Sequence, residues 1–224
     1  MRTKELVWTK EFAYAVGLFV SDGHLSIDGR HIDFTSKDCQ LVETFSKVLG
    51  LSNTITRKSR SNEEEKKYFH IAFSDVELYR FLQAINIPQQ KSKQIQEIIL
   101  PQNLFFDFLR GLVDGDGNIC VYTHPQSRKE QLKIRIFSAS KCFLEWLRAQ
   151  IMLNGVEGGR IRLATRVWEL TYPKRYALQL LELMYHSDRL PCLLRKYEIA
   201  RSCLSKNKSF NQNRWQNRYT KKLI

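Results

Sequence analysis

The strongest constraint on how this chain can fold is that it carries the same stretch twice. FAYAVGLFVSDGHLSI begins at Phe12 and FDFLRGLVDGDGNICV at Phe106, and the pairs Asp22-Gly23 and Asp116-Gly117 keep that offset of 94. Downstream, Ser36-Lys37 pairs with Ser140-Lys141 at an offset of 104, which assigns the second copy extra residues in its first hairpin. LVETFSKVLGL then matches LEWLRAQIMLNGV, and YFHIAF matches VWELTY. Internal similarity of this kind calls for two like units around a shared core.

Each copy gives the same order: a helix ending in Asp-Gly, a hairpin, a helix, a second hairpin and a further helix. The first hairpin, Gly23–Ile27 with His31–Thr35, alternates. Leu25, Ile27, Ile32 and Phe34 fall on one face, and Ser26, Asp28, His31, Asp33 and Thr35 on the other. Period-two alternation predicts a sheet with one covered and one open face. The second hairpin is Thr54–Lys58 with Tyr68–Phe73. In the second copy, Ile119, Val121, Ile134, Ile136, Ile161, Leu163, Trp168 and Leu170 read as core, and Asn118, Tyr122, His124, Lys133, Arg135, Arg160 and Arg162 as open face. Apolar spacing predicts amphipathic helices near Gln40–Leu49, Val76–Ala84, Lys141–Leu153 and Tyr176–His186. The fold class is therefore α+β, with two αββαββα halves. The first half spans 1–87, a linker 88–101, the second half 102–204, and a basic tail 205–224. Within the linker a helix is expected at Lys91–Ile99, between breaks set by Pro88 and Pro101.

Thirty-six Lys and Arg against 23 Asp and Glu leave a net charge of +13, which favours a polyanionic partner, nucleic acid first. No apolar run approaches the ~20 residues of a membrane-spanning helix, and MRTKELVWTKEF has no apolar signal core. An intracellular location is expected, in the cytoplasm or the organelle matrix that holds the gene. The five cysteines (Cys39, Cys120, Cys142, Cys192, Cys203) show no metal spacing and read as small buried hydrophobes in a reducing compartment.

Gly23 and Gly117 sit where a positive φ often ends a helix. Asp22 and Asp116 then lie at helix C-termini, where the dipole disfavours a carboxylate. That placement asks for a compensating cation, and a hard divalent ion suits carboxylate oxygens. Small residues recur along both helices, at Ala13, Gly17 and Ser21 and at Gly111 and Gly115. Such stripes let helix backbones approach closely. Side by side, the helices would bring both aspartates to a local two-fold axis.

AVGLFVSDG (Ala15–Gly23) and LRGLVDGDG (Leu109–Gly117) resemble the motifs of the LAGLIDADG homing endonucleases, in the single-chain form with two copies. The likeness covers roughly residues 8–202 in the order of elements. The first copy departs from the pattern at Val20, where the family has an aspartate. The resemblance implies a saddle with the motif helices at its centre and the open sheet faces in the DNA major groove. It places the metal-binding acids at Asp22 and Asp116, assisted by the carbonyls of Ser21 and Gly115, and makes Asp114 structural. Lys37 and Lys141 become the basic residues that polarise water or steady the phosphate, with Lys91 and Lys196 as alternatives. The expected cofactor is Mg²⁺, with Mn²⁺ or Ca²⁺ able to substitute for binding.

The expected contacts to DNA are Ser26, Asp28, Arg30, His31, Asp33, Thr35, Arg57, Lys58, Arg60, Lys67 and His70 from the first half. The second half adds Asn118, Tyr122, His124, Arg128, Lys133, Arg135, Arg160, Arg162 and Arg166. Because the two open faces differ, the expected target is a long asymmetric duplex, cut by a monomer with no obligate protein partner. An RNA-binding intron maturase on the same fold is the alternative. A DNA-binding regulator with a dead site would have no reason to retain both acids.

Overall fold

The computed structural model describes residues 6–59, 67–123, 125–126 and 128–207, without the side chains of Ser92 and Lys93. Its first half runs α1 (Lys10–Asp22), β1 (Gly23–Leu25), β2 (His31–Ser36), α2 (Cys39–Leu49), β3 (Thr56–Lys58), β4 (Tyr68–Ser74) and α3 (Val76–Ala84). A short helix α4 (Lys91–Gln94) and a 3-10 turn (Gln102–Leu104) follow. The second half runs α5 (Phe105–Asp116), β5 (Gly117–Thr123), β6 (Glu130–Ser138), α6 (Lys141–Leu153), β7 (Arg160–Ala164), β8 (Val167–Pro173) and α7 (Lys174–Met184). α8 (Leu194–Lys206) ends the described chain.

The class is α+β, and the two halves share one topology. Each forms a four-stranded antiparallel sheet, ordered β1-β2-β4-β3 in the first and β5-β6-β8-β7 in the second. Local chemistry sets the boundaries. Thr9 Oγ1 accepts from Phe12 N at 3.1 Å to start α1, and Asp75 Oδ1 accepts from Leu78 N at 2.9 Å to start α3. Both are side-chain N-caps, each contributing on the order of 1 kcal/mol.

α1 and α5 are buried almost throughout and pack on each other at the centre. A Cβ on Gly17 would lie 2.1 Å from Phe108 O and 2.8 Å from Leu112 N. A Cβ on Gly111 would lie 2.1 Å from Tyr14 O and 3.0 Å from Leu18 N. Those contacts map onto each other at the offset of 94, so the helix pair has a local two-fold axis, as an isologous interface requires.

Several expectations are corrected. Gly23 (φ −81) and Gly117 (φ −87) are extended, not left-handed. Each helix runs straight into its strand, and glycine is needed for space: a Cβ would fall 2.1 Å from the Phe19 ring or 2.6 Å from the Val113 backbone. The linker helix stops at Gln94, because Ile95 turns extended (ψ 133) and Ile95 and Ile98 bury into the core. Ile27 sits in the β1–β2 turn, 88% exposed, instead of joining the core. Leu163 on the edge strand β7 (60% exposed) and Val121 (39%) also lie outside it. Of the cysteines only Cys203 is buried; Cys142 is exposed and the others are intermediate.

Candidate active site and nucleic-acid interface

The ends of α1 and α5 meet. A Cβ on Gly115 would lie 1.9 Å from Ser21 Oγ and 3.7 Å from Asp22 Oδ2, so the Asp22 carboxylate reaches across to the last turn of α5. Asp22 is partly exposed and Asp116 exposed, which leaves both able to face a ligand. A cavity of about 260 Å³ opens beside them, lined among others by Ser21, Lys91, Asp116 and Ser138.

Two lysines close these helix ends. Lys91 Nζ donates to the carbonyls of Phe19 (2.5 Å), Val20 (2.9 Å) and Ser21 (3.1 Å). Lys196 Nζ donates to those of Val113 (2.6 Å), Asp114 (2.8 Å) and Gly117 (2.8 Å). Phe19 and Val20 correspond to Val113 and Asp114, so the lysines are counterparts about the axis. A cation at a helix C-terminus satisfies orphan carbonyls and opposes the dipole. Burial pulls Lys91 down to about 7, against the upward pull of Asp116 and Asp22. Burial likewise pulls Lys196 down to about 8, with Asp114 opposing it most.

Lys37 and Lys141 do not occupy equivalent places. Gly23 pairs with Phe34 and Gly117 with Ile136, so Ser36 corresponds to Ser138 at an offset of 102. Lys37 then matches Ala139, and Lys141 matches Cys39. Lys37 Nζ stands 5.4 Å above the Tyr68 ring. Lys141 Nζ stands 5.4 Å above Trp168 and pairs with Glu145 at 3.0 Å. In the sequence, Lys91 and Lys196 stand only as alternatives to Lys37 and Lys141. Their shared role is visible once both are seen on the motif-helix carbonyls.

Asp114 is fully buried and accepts from Leu193 N (2.8 Å), Tyr14 Oη (2.9 Å) and Tyr185 Oη (3.4 Å). Burial raises its carboxyl to about 6, and the Leu193 amide and Lys196 oppose that rise. Among the described residues no group of three His, Cys, Asp or Glu side chains is placed to hold a metal ion. Two carboxylates beside helix-end carbonyls are nevertheless the hard oxygen donors that Mg²⁺, Mn²⁺ or Ca²⁺ prefer, with water and phosphate oxygens completing the shell. Asp22 and Asp116 fit such an ion. The Ser21 carbonyl is already taken by Lys91, whereas the Gly115 carbonyl is not among those Lys196 holds.

Strand register sorts the DNA-facing residues. The open face of the first sheet carries His24, His31, Asp33, Thr35, Thr56, Lys58 and His70. His70 Nε2 meets Asp33 Oδ1 at 2.5 Å, and His31 bonds Asp28 in the turn that also holds Ser26 and Arg30. The His31 bond holds the Asp28 carboxyl down at about 2. Arg57 lies on the opposite face, 4.8 Å from the Phe69 ring, and Lys67 immediately precedes β4. Arg60 and His124 lie outside the described residues, as do residues 208–224 of the tail.

The open face of the second sheet carries Asn118, Tyr122, Lys133, Arg135, Arg160 and Arg162 around Glu169. Arg162 reaches Glu169 at 3.0 Å, and Thr171 also bonds that carboxylate. Although burial pushes Glu169 up, these bonds hold it below its usual range. Arg135 Nη2 donates to Asn118 at 3.2 Å. Arg128 and Arg166 sit in the two hairpin turns. No helix among the described residues is long and apolar enough to cross a membrane.

Residues 9–86 match the family model described as a LAGLIDADG-like domain. No curated protein sequence is a match. The fold is similar to that of the I-LtrWI LAGLIDADG homing endonuclease bound to target DNA, with a TM-score of 0.60 and 13% identity over 89% of this chain and 91% of that one. It is similar to I-DmoI in complex with DNA and Ca, with a TM-score of 0.57 and 17% identity over 85% and 96%. It is also similar to full-length DUF199/WhiA from Thermatoga maritima, with a TM-score of 0.56 and 17% identity over 97% of this chain and 68% of that one. At these identities the likeness establishes the fold.

Proposed function

We propose that this chain is a single-chain homing endonuclease with two LAGLIDADG motifs, which makes a staggered double-strand break at a long asymmetric DNA target and so promotes the mobility of its intron. The observation that carries the reading is the meeting of Asp22 and Asp116 at the ends of paired helices, each end closed by a lysine and flanked by an open-faced sheet. Among solved structures of similar fold, one is bound to target DNA, one is in complex with DNA and Ca, and one is in complex with DNA and Mn.

Asp22 and Asp116 would hold a divalent metal, Mg²⁺ in the cell. Bound there, the metal supplies Lewis-acid stabilisation of charge on the phosphate and an acidified water. The chain's own groups do the rest. Lys91 and Lys196, each donating to three carbonyls at a helix end, oppose the negative end of the dipole and hold those ends so that Asp22 and Asp116 stay together at the centre. A two-stranded ribbon fits the major groove, where Arg and Lys read guanine and carboxylates read cytosine amines. Lys133, Arg135, Arg160 and Arg162 supply the first kind of contact, and Asp33 the second. Both acids belong to one chain, so a monomer suffices.

The test is to select bound duplexes from a randomised library and incubate them with the protein and Mg²⁺. The expected result is a staggered break at one position of the selected sequence. Bound duplex that stays intact with Mg²⁺ and with Mn²⁺ would overturn the reading.

A further inference from the structure

The two lysine-bearing segments are anchored by different means. In the second half, the buried Asp114 carboxylate takes the N–H of Leu193, the N-cap residue of α8. The same carboxylate takes the hydroxyls of Tyr14 from α1 and Tyr185 from beyond α7. One turn earlier, Arg110 donates to Pro191 O (2.9 Å) and Met184 O (2.7 Å) and pairs with Asp107 at 2.8 Å. The connection from α7 to α8 is thus tied to α5 at several points, and Lys196 follows Leu193 by three residues.

Among the described residues, the first half has no counterpart to these ties. Val20 stands where Asp114 does and Val16 where Arg110 does, both buried and apolar. Lys91 begins the four-residue α4, whose N-cap makes no side-chain bond. Its segment is held instead by Gln89 Nε2 on Tyr79 Oη (2.7 Å) and by Ser140 Oγ on Ile95 O (2.6 Å). The third carbonyl also differs: Lys91 takes Ser21 O, before the aspartate, and Lys196 takes Gly117 O, after it.

We infer that Asp114 is a positioning residue: through the Leu193 N–H it sets the start of α8 and so places Lys196, making one of the two strand cuts depend on Asp114 while the other does not. The inference rests on the endonuclease reading above.

The experiment follows each strand separately, with end-labelled target in single-turnover reactions. Asp114→Val copies the first half, and Asp114→Asn keeps an acceptor oxygen. Lys196→Met identifies the strand that Lys196 serves. Leu193→Pro removes the N–H that Asp114 accepts at a φ of −79 that suits proline, together with the buried leucine side chain; Leu193→Ala loses that side chain and keeps the N–H, so the pair isolates the hydrogen bond. Asp114→Val, Leu193→Pro and Lys196→Met are expected to slow the same strand tenfold or more, so nicked duplex accumulates, with the other strand within about threefold. Asp114→Asn and Leu193→Ala restore most of the rate. Equal slowing of both strands by Leu193→Pro, or slowing of the strand that Lys196→Met spares, overturns the proposal. If wild type binds its target and cuts neither strand, the endonuclease reading itself fails.

Discussion

Gly17 and Gly111 each press against the same two backbone positions of the other's helix: Gly17 against Phe108 and Leu112, Gly111 against Tyr14 and Leu18. A methyl group at either would lie 2.1 Å from a carbonyl oxygen, and the rigid helix backbones can yield only by separating. Gly17→Ala and Gly111→Ala are therefore expected to cost at least the upper end of the ~1–3 kcal/mol typical of overpacking. Urea unfolding measures this. By symmetry the two losses should be similar, and a midpoint unchanged in either variant contradicts the packing described.

Lys91 and Lys196, not Lys37 and Lys141, close the motif helices. Lys91→Met and Lys196→Met, which leave three carbonyls beside the aspartates without their donor, should each slow cleavage of at least one strand by about tenfold or more. Target affinity should stay within a few-fold. Lys37→Met and Lys141→Met should cut at close to the wild-type rate. Single-turnover kinetics with saturating enzyme separates the two outcomes.

Lys91 also predicts a pH dependence of stability in metal-free protein. Burial lowers it from 10.5 to about 7 in the folded state, so the unfolded chain binds more protons between those values. Its contribution is fully present above 10.5 and is lost as pH falls through about 7. Wild type should gain stability relative to Lys91→Met as pH rises from 6.5 to 9. Denaturant titrations at both pH values check this, and parallel behaviour of the two proteins contradicts it.

The second sheet's open face should dominate the electrostatic part of binding. Lys133→Ala and Arg160→Ala are each expected to reduce the slope of log affinity against log salt by about 1. Arg57→Ala, on the opposite face of the first sheet, should leave the slope unchanged. Titrations over a range of salt concentrations give the slopes directly.

Much of this architecture is legible in the residues themselves. The repeat of Asp-Gly helices predicts two like halves, and the spans Val76–Ala84 and Lys141–Leu153 agree with the apolar spacing. Other features depend on tertiary contact. Pairing Ser36-Lys37 with Ser140-Lys141 is off by two residues, because side-chain similarity cannot see the strand register that joins Phe34 to Gly23 and Ile136 to Gly117. Gly23 and Gly117 look like left-handed caps, yet the neighbouring Phe19 ring and Val113 backbone are what exclude a side chain. α8 carries a readable signal in the spacing of Lys196, Ala200 and Cys203, all buried on one face, but a lysine there disguises it. Only the folded chain shows that Lys196 is buried because it holds carbonyls of α5 and the start of β5.

The most direct measurement of the central claim is cleavage of the selected target in Mg²⁺ by wild type, Asp22→Asn and Asp116→Asn, with binding measured in parallel in Ca²⁺. Each substitution is expected to abolish the double-strand break while affinity stays within a few-fold of wild type. A double-strand break at an undiminished rate in either variant would contradict that claim.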